Sequence, residues 1–251
     1  MSASPSFSVV IPVFNNRETV VRAIESVLAQ TDPASEILVI DDGSTDGSAA
    51  LVQSCFGSQA TVISFLQNRG PAAARNAGLE AAIGSHVAFL DADDCWHPEK
   101  LARMAAVLKA RPEALLLFHD YSLAPQYPPV SGFRPYPLRG FLLRNPAATP
   151  CVVVRKTGLR FNEKLRWMED YDFFLRHAEA GPVYYLPQAL TVLGRPLLSA
   201  GGQSSRRWQM RKAEARVVVG FARRHPAYLP LLLLWLPGIL AKHFYKEIKR
   251  F

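Results

Sequence analysis

The chain has 251 residues, 49% of them hydrophobic and 20% charged, with a formal net charge of +8; this is the content of a folded globular protein, one large α/β domain or two small ones. Cys55, Cys95 and Cys151 show neither CxxC spacing nor a His/Cys cluster, which suggests neither a zinc site nor a disulfide framework and makes reduced cytosolic thiols the default. From Arg206 onward there are eleven lysines and arginines against Glu214 and Glu247 alone, so the positive excess belongs to the tail.

The N-terminus, Met-Ser-Ala-Ser-Pro-Ser, meets the first strand without a basic n-region or long apolar h-region, so export by a signal peptide is not expected and the protein is expected inside the cell. From Phe7 to Leu90 short apolar runs alternate with amphipathic stretches, the pattern of successive β-α units around a mostly parallel sheet. Phe7 to Val13 reads as a buried strand. Asn15 or Asn16 can cap the next helix, where Val20, Ile24, Val27 and Leu28 share a face. Then follow a strand over Glu36–Asp41, a helix over Asp46–Phe56, a strand over Thr61–Leu66, a helix over Pro71–Ile83 and a strand over His86–Asp91. Pro98 suits the first turn of a helix reaching about Ala110, and Ala114–Phe118 is a further strand. Pro125, Pro128, Pro129, Pro135 and Pro137 then crowd a segment unfit for a helix or central strand, read as a long loop over the active face. Beyond it we expect a strand over Thr149–Arg155, a helix over about Glu169–Ala180, and two short strands near Val183–Leu186 and Ala189–Leu193.

Ligands of open α/β sheets bind beyond the carboxyl ends of the strands. Here those ends are polar and acidic: Pro12-Val13-Phe14-Asn15-Asn16, Asp41-Asp42-Gly43-Ser44-Thr45-Asp46-Gly47, and Asp91-Ala92-Asp93-Asp94. Converging carboxylates repel one another and persist only with hydrogen-bond donors or a cation to offset them. Asp91 and Asp93, two apart after a strand, suit one hard cation, Mn2+ or Mg2+, shared with substrate phosphates. The competing reading is that Asp93 and Asp94 merely shape a turn.

Together with Asn68-Arg69-Gly70, Ala74-Arg75-Asn76-Ala77-Gly78 and Glu169-Asp170, these motifs closely resemble the family 2 glycosyltransferases of the GT-A fold, over roughly residues 7 to 180. The resemblance implies an α/β, Rossmann-like, mostly parallel sheet flanked by helices, and an inverting enzyme that moves a sugar from a nucleotide-diphosphate sugar, most commonly a UDP-sugar, to a hydroxyl. It implies that Pro12, Phe14, Asn15, Asp41, Asp42, Arg75, Asp91 and Ala92 bind the nucleotide, with a metal on Asp93 and Asp91. The family more often has tyrosine where Phe14 stands, so any hydroxyl contact is lost. Asp170 becomes the general base, while Glu169, Trp167, Arg206 and Arg207 flank the acceptor or phosphates. Trp167 has two open readings, stacking on a sugar or filling the core. Gln203 is one residue too far from Arg207-Trp208 for the Gln-x-x-Arg-Trp motif of processive members, which argues against processive polymer synthesis by this chain.

The expected organisation is a GT-A domain over 1–205, with a nucleotide-binding half over about 1–120 and an acceptor half over about 121–205, then a helical, basic and leucine-rich tail over 206–251. The apolar run Ala227–Ala241 is short for a spanning helix and carries Pro230 and Pro237. Interfacial embedding of residues 226–251 fits it, with Trp235 and Tyr245 at headgroup depth and basic residues on anionic lipid; a buried docking helix or dimer contact is the competing reading. The expectation is a peripheral protein on the inner face of the cell membrane, acting on a lipid-linked or cell-envelope glycan. A sugar-phosphate nucleotidyltransferase would require a glycine-rich loop after the first strand, and Phe14-Asn15-Asn16-Arg17-Glu18 is not one. A nucleic-acid-binding protein would carry a basic stripe on the main domain, not in the tail.

Overall fold

The computed structural model describes residues 4–125, 129, 131–196 and 207–230, with the side chain of Arg207 left aside. Its first half alternates β1 (Phe7–Val13), α1 (Val20–Leu28), β2 (Glu36–Asp41), α2 (Ser48–Phe56), β3 (Thr61–Ser64), α3 (Pro71–Ala81) and β4 (His86–Phe89). Then come β5 (Cys95–Trp96), α4 (Lys100–Ala110), β6 (Leu116–Ser122), β7 (Arg134–Pro135), α5 (Leu138–Leu143), β8 (Val152–Arg155), α6 (Glu169–Ala180), β9 (Val183–Val192) and α7 (Arg207–Arg224).

One sheet runs through the molecule in the order β3-β2-β1-β4-β8-β6-β9-β5, with β7 added on β9. β1 shows why it sits centrally. Its residues are apolar on both faces: Val9, Ile11 and Val13 enter one core cluster and Val10 the other, as expected of a strand covered by helices on both sides. Close approach of α3 to β1 is set by Gly78, where a Cβ would stand 2.3 Å from Val10 Cγ1.

The sheet is parallel over β3-β2-β1-β4 and mixed beyond. β8 runs antiparallel to both β4 and β6, a pairing that needs no crossover connection. The two short strands expected after α6 are one, β9. Pro187, lacking an N–H, falls where the register to β6 shifts between His119 and Asp120, so the strand is irregular there and does not end. The proline-rich segment also holds more order than expected. Pro135 lies in the edge strand β7, and Pro137 immediately precedes α5, two places that tolerate a missing amide proton. The domain boundary expected at 205/206 falls just before α7, whose Val217, Val218, Phe221 and Ala222 are buried in the second core cluster. Most of the 226–251 segment lies outside the described residues, and no helix among those described is long and apolar enough to cross a membrane.

Candidate active site

At the ends of β1 and β2 the polypeptide turns sharply, and side chains hold the turns. Asp42, 3% exposed, accepts the backbone N–H of Arg69 (2.7 Å) on one oxygen, and the N–H of Gly70 (2.8 Å) and Asn68 Nδ2 (3.0 Å) on the other. Burial nevertheless leaves its carboxyl above the usual range, outweighing the two amide bonds. Gly43 follows at φ +74°, and a Cβ there would lie 2.7 Å from the Gln67 carbonyl carbon. Asp41 accepts the Ser44 N–H at 3.2 Å, and Asn15, at φ +53°, accepts the Thr45 N–H at 2.9 Å.

A cavity of about 480 Å³ opens beyond these strand ends. The structure gathers Pro12, Phe14, Asp42, Arg75, Asp91, Ala92, Asp93, Trp167, Glu169 and Asp170 along it. Asn15 and Asp41 are not among its lining residues; their side chains build the turns behind it. Arg206 and the Arg207 side chain lie outside the described residues, although Met210 of α7 reaches the cavity.

After β4 the backbone closes a turn in which the Asp94 N–H reaches the Asp91 carbonyl at 3.0 Å. Arg75, 6% exposed, bridges Asp91 (3.0 Å) and Glu169 (3.2 Å), and Arg195 pairs with Asp93 at 3.0 Å. Burial works against the Arg75 charge, but Asp91 and Glu169 outweigh it and hold the guanidinium protonated. The turn is pinned from behind: Gly194 N–H donates to Asp94 at 2.8 Å, and Arg22 donates to the Asp93 carbonyl at 3.2 Å. A Cβ at Gly194 would stand only 2.0 Å from that carbonyl oxygen. Burial, reinforced by Asp91, raises the Asp93 carboxyl and pushes Asp94 up to about 8. Carboxylates this crowded resist full ionisation without added positive charge.

Glu169 and Asp170 open α6 behind Met168, which holds φ +62°. Phe173, Phe174 and His177 are buried and fix this helix against the sheet. Burial, then Asp170, push Glu169 up to about 7 against the pull of Arg75. Asp170 accepts the Tyr171 N–H (2.7 Å) and Asn145 Nδ2 (3.3 Å), and burial raises its carboxyl too. Trp167 lines the cavity half-exposed, with the Arg166 guanidinium 5.4 Å from its ring.

The donor set fits a hard divalent cation shared with a ligand. Among the described residues no group of three or more His, Cys, Asp or Glu side chains makes a complete metal cage. The Asp91–Asp94 turn instead offers the one or two carboxylates that magnesium or manganese takes when phosphate oxygens and water complete the shell. Sequence reasoning passed over Arg195, Gly194 and Asn145, which reach the site only through tertiary contacts.

A parallel half ending in polar turns, continued by a mixed half that closes the cavity, is the GT-A arrangement, an α/β fold with a mixed sheet flanked by helices. Structures of Staphylococcus aureus TarS 1–349 in complex with UDP-GlcNAc (TM-score 0.70, 22% identity, 86% of this chain and 66% of that one) and of the mannosyltransferase PcManGT from Pyrobaculum calidifontis with GDP-Man and Mn2+ (0.66, 20%, 96% and 74%) share that fold. Residues 8–123 match the model of Glycosyl transferase family 2. The succinoglycan biosynthesis protein ExoU of Rhizobium meliloti (strain 1021) is 30% identical over 205 residues, covering 73% of this chain and 60% of ExoU. The chain spans less than two thirds of the length of the curated relatives it matches.

Proposed function

We propose that this chain is an inverting, metal-dependent glycosyltransferase that moves a sugar from a nucleotide-diphosphate donor, a UDP-sugar first among them, to a hydroxyl of a lipid-linked or cell-envelope glycan. One observation carries the reading: the Asp91–Asp94 turn and the Glu169-Asp170 pair, 75 residues apart or more, face one cavity and are bridged by the buried Arg75. The nucleotide-sugar and Mn2+ complexes of the structural neighbours support the donor and cation classes, and the part of ExoU in succinoglycan synthesis supports a polysaccharide acceptor.

In this reading the donor base rests against Pro12 and Phe14 near Asp42, where the aromatic face stacks and the carboxylate accepts. Asp91 and Asp93 would hold the cation, which would supply positive charge to the diphosphate. Arg75 and Arg195, partners of those carboxylates, release part of their charge toward the phosphates. Asp170, with its carboxyl raised, takes the proton of the acceptor hydroxyl. That oxygen then bonds to the anomeric carbon as the bond to the diphosphate breaks on the opposite face, inverting configuration. Residues 226–251 supply peripheral attachment to the inner membrane face, beside the lipid-linked acceptor.

The test is a thermal-shift and nucleotide-release screen with UDP, GDP, UDP-sugars and GDP-mannose, with and without Mn2+. Wild-type protein should be stabilised by nucleotide only when metal is present. Asp93→Ala should abolish that metal dependence, and Asp170→Asn should keep donor binding while stopping transfer. Full turnover by Asp170→Asn would overturn the base assignment. Deletion of 226–251 should move the protein to the soluble fraction, and unchanged sedimentation with membranes would remove the attachment.

A further inference from the structure

Ala148, Thr149 and Pro150 line the same cavity. They belong to the 3-10 turn Thr149–Cys151 and its approach, leading directly into β8. β8 is antiparallel to β4 with Val153 opposite Ala88, so residues just before β8 stand beside those just after β4, the Asp91–Asp94 turn. The nucleotide-side residues Pro12, Phe14 and Asp42 come from β1 and β2, on the other side of β4. This wall therefore borders the space between the acidic turn and Glu169-Asp170, where a transferred sugar would lie.

Three side chains converge on one atom of this turn. The Pro150 carbonyl oxygen accepts hydrogen bonds from Trp96 Nε1 (2.9 Å), Thr191 Oγ1 (3.0 Å) and Lys100 Nζ (3.2 Å). Those donors come from β5, β9 and α4, and Trp96 and Thr191 are direct register partners. Lys100 is fully buried, with its nitrogen 3.2 Å from the centre of the Trp96 ring. Burying an amine is costly, and an apolar side chain of similar length would fill the volume without that cost. What the lysine adds is an amine that lies on the Trp96 ring and directs an N–H at this carbonyl.

We infer that Trp96, Lys100 and Thr191 are positioning residues for the transfer: they fix the Pro150 carbonyl and so hold Ala148–Pro150 as the wall that aligns the sugar beside the acidic turn. This rests on the glycosyltransferase reading above.

The test compares Thr191→Val, nearly isosteric but without the hydroxyl, with Thr191→Ser, which keeps it, and with Lys100→Met. Turnover is followed as nucleotide release from whichever of UDP-GlcNAc, UDP-glucose and GDP-mannose the wild type consumes, and affinity as the Kd of the matching nucleotide diphosphate with Mn2+. Thr191→Val and Lys100→Met should lower kcat/KM about tenfold or more, since small misplacements of a reacting group cost that much, while nucleotide Kd stays within about twofold. Thr191→Ser should restore turnover. Hydrogen exchange at the Cys151 amide, bonded to the Ala148 carbonyl at 2.9 Å, should quicken in Thr191→Val and not in Thr191→Ser. Turnover equal to wild type in Thr191→Val and Lys100→Met would overturn the inference, as would nucleotide affinity falling in step with turnover. Wild-type protein that neither binds nucleotide nor consumes any donor would instead overturn the glycosyltransferase reading, and this inference with it.

Discussion

Replacing Arg75 with methionine probes the electrostatic centre of the site. Arg75 is 6% exposed, and its guanidinium pairs with Asp91 at 3.0 Å and Glu169 at 3.2 Å and lies 5.6 Å from the Phe161 ring. Methionine retains much of the packing and removes the charge, leaving two carboxylates, with Asp170 nearby, uncompensated. Removing one partner of a buried pair costs about 3–5 kcal/mol, which is the loss expected at pH 8. The sign of its pH dependence follows from Glu169. Its carboxyl titrates near 7 even with Arg75 present, above its ordinary value, so it favours folding most when protonated, and that contribution fades as pH rises through 7. Without Arg75 the fading moves higher still, and at pH 5.5 the glutamate is neutral. The loss at pH 5.5 should then be about half that at pH 8, because one of the two stranded charges is gone. Urea denaturation followed by tryptophan fluorescence at both pH values measures this, and Arg75→Met/Glu169→Gln should recover at least ~1 kcal/mol at pH 8 relative to the single variant. A single variant losing under ~1 kcal/mol, or losing equally at both pH values, would refute the reasoning.

Gly194→Ala forces a methyl to within 2.0 Å of the Asp93 carbonyl oxygen; the acidic turn must move, and we expect metal-dependent nucleotide binding, read by calorimetry, to weaken at least ~10-fold. Unaltered affinity would show that the turn is not set by this contact. His177, buried against Phe173, has its imidazole pushed down to about 4 by burial, so it stabilises the fold above its ordinary value of 6.5 and loses that contribution as pH falls toward 4. Between pH 6.5 and 5 this amounts to about 2 kcal/mol, and His177→Gln should flatten the acid limb of a stability–pH curve by that amount; an unchanged limb would contradict it.

The fold was legible where neighbouring residues determine it. Val9, Val10 and Ile11 announce a strand buried on both faces, and Asp91-Ala92-Asp93 declares itself because carboxylates follow directly on an apolar run. The mixed second half was not legible. A strand's direction is decided by the path of the chain that returns to it, and residues 123–151 gave only prolines, which mark where regular pairing is disfavoured without showing that β7 and α5 lie among them. Asp42 illustrates the same limit within the site. Its place at a strand end could be read, but its three bonds to residues 68–70 join positions 26 to 28 apart and leave no trace in local spacing. Arg195 and Gly194 follow β9 in sequence and meet the acidic turn only once β9 and β5 are paired.

β8 has a consequence for how such a molecule changes over time. Because it is laddered to β4 on one flank and β6 on the other, the two banks of the cleft are stitched by backbone bonds that do not depend on side-chain identity. The connecting stretch between β6 and the Ala148–Pro150 wall can therefore lengthen, shorten or be rewritten while the spacing between the acidic turn and that neighbouring wall is preserved. Partner choice and chemistry are thereby free to diverge separately.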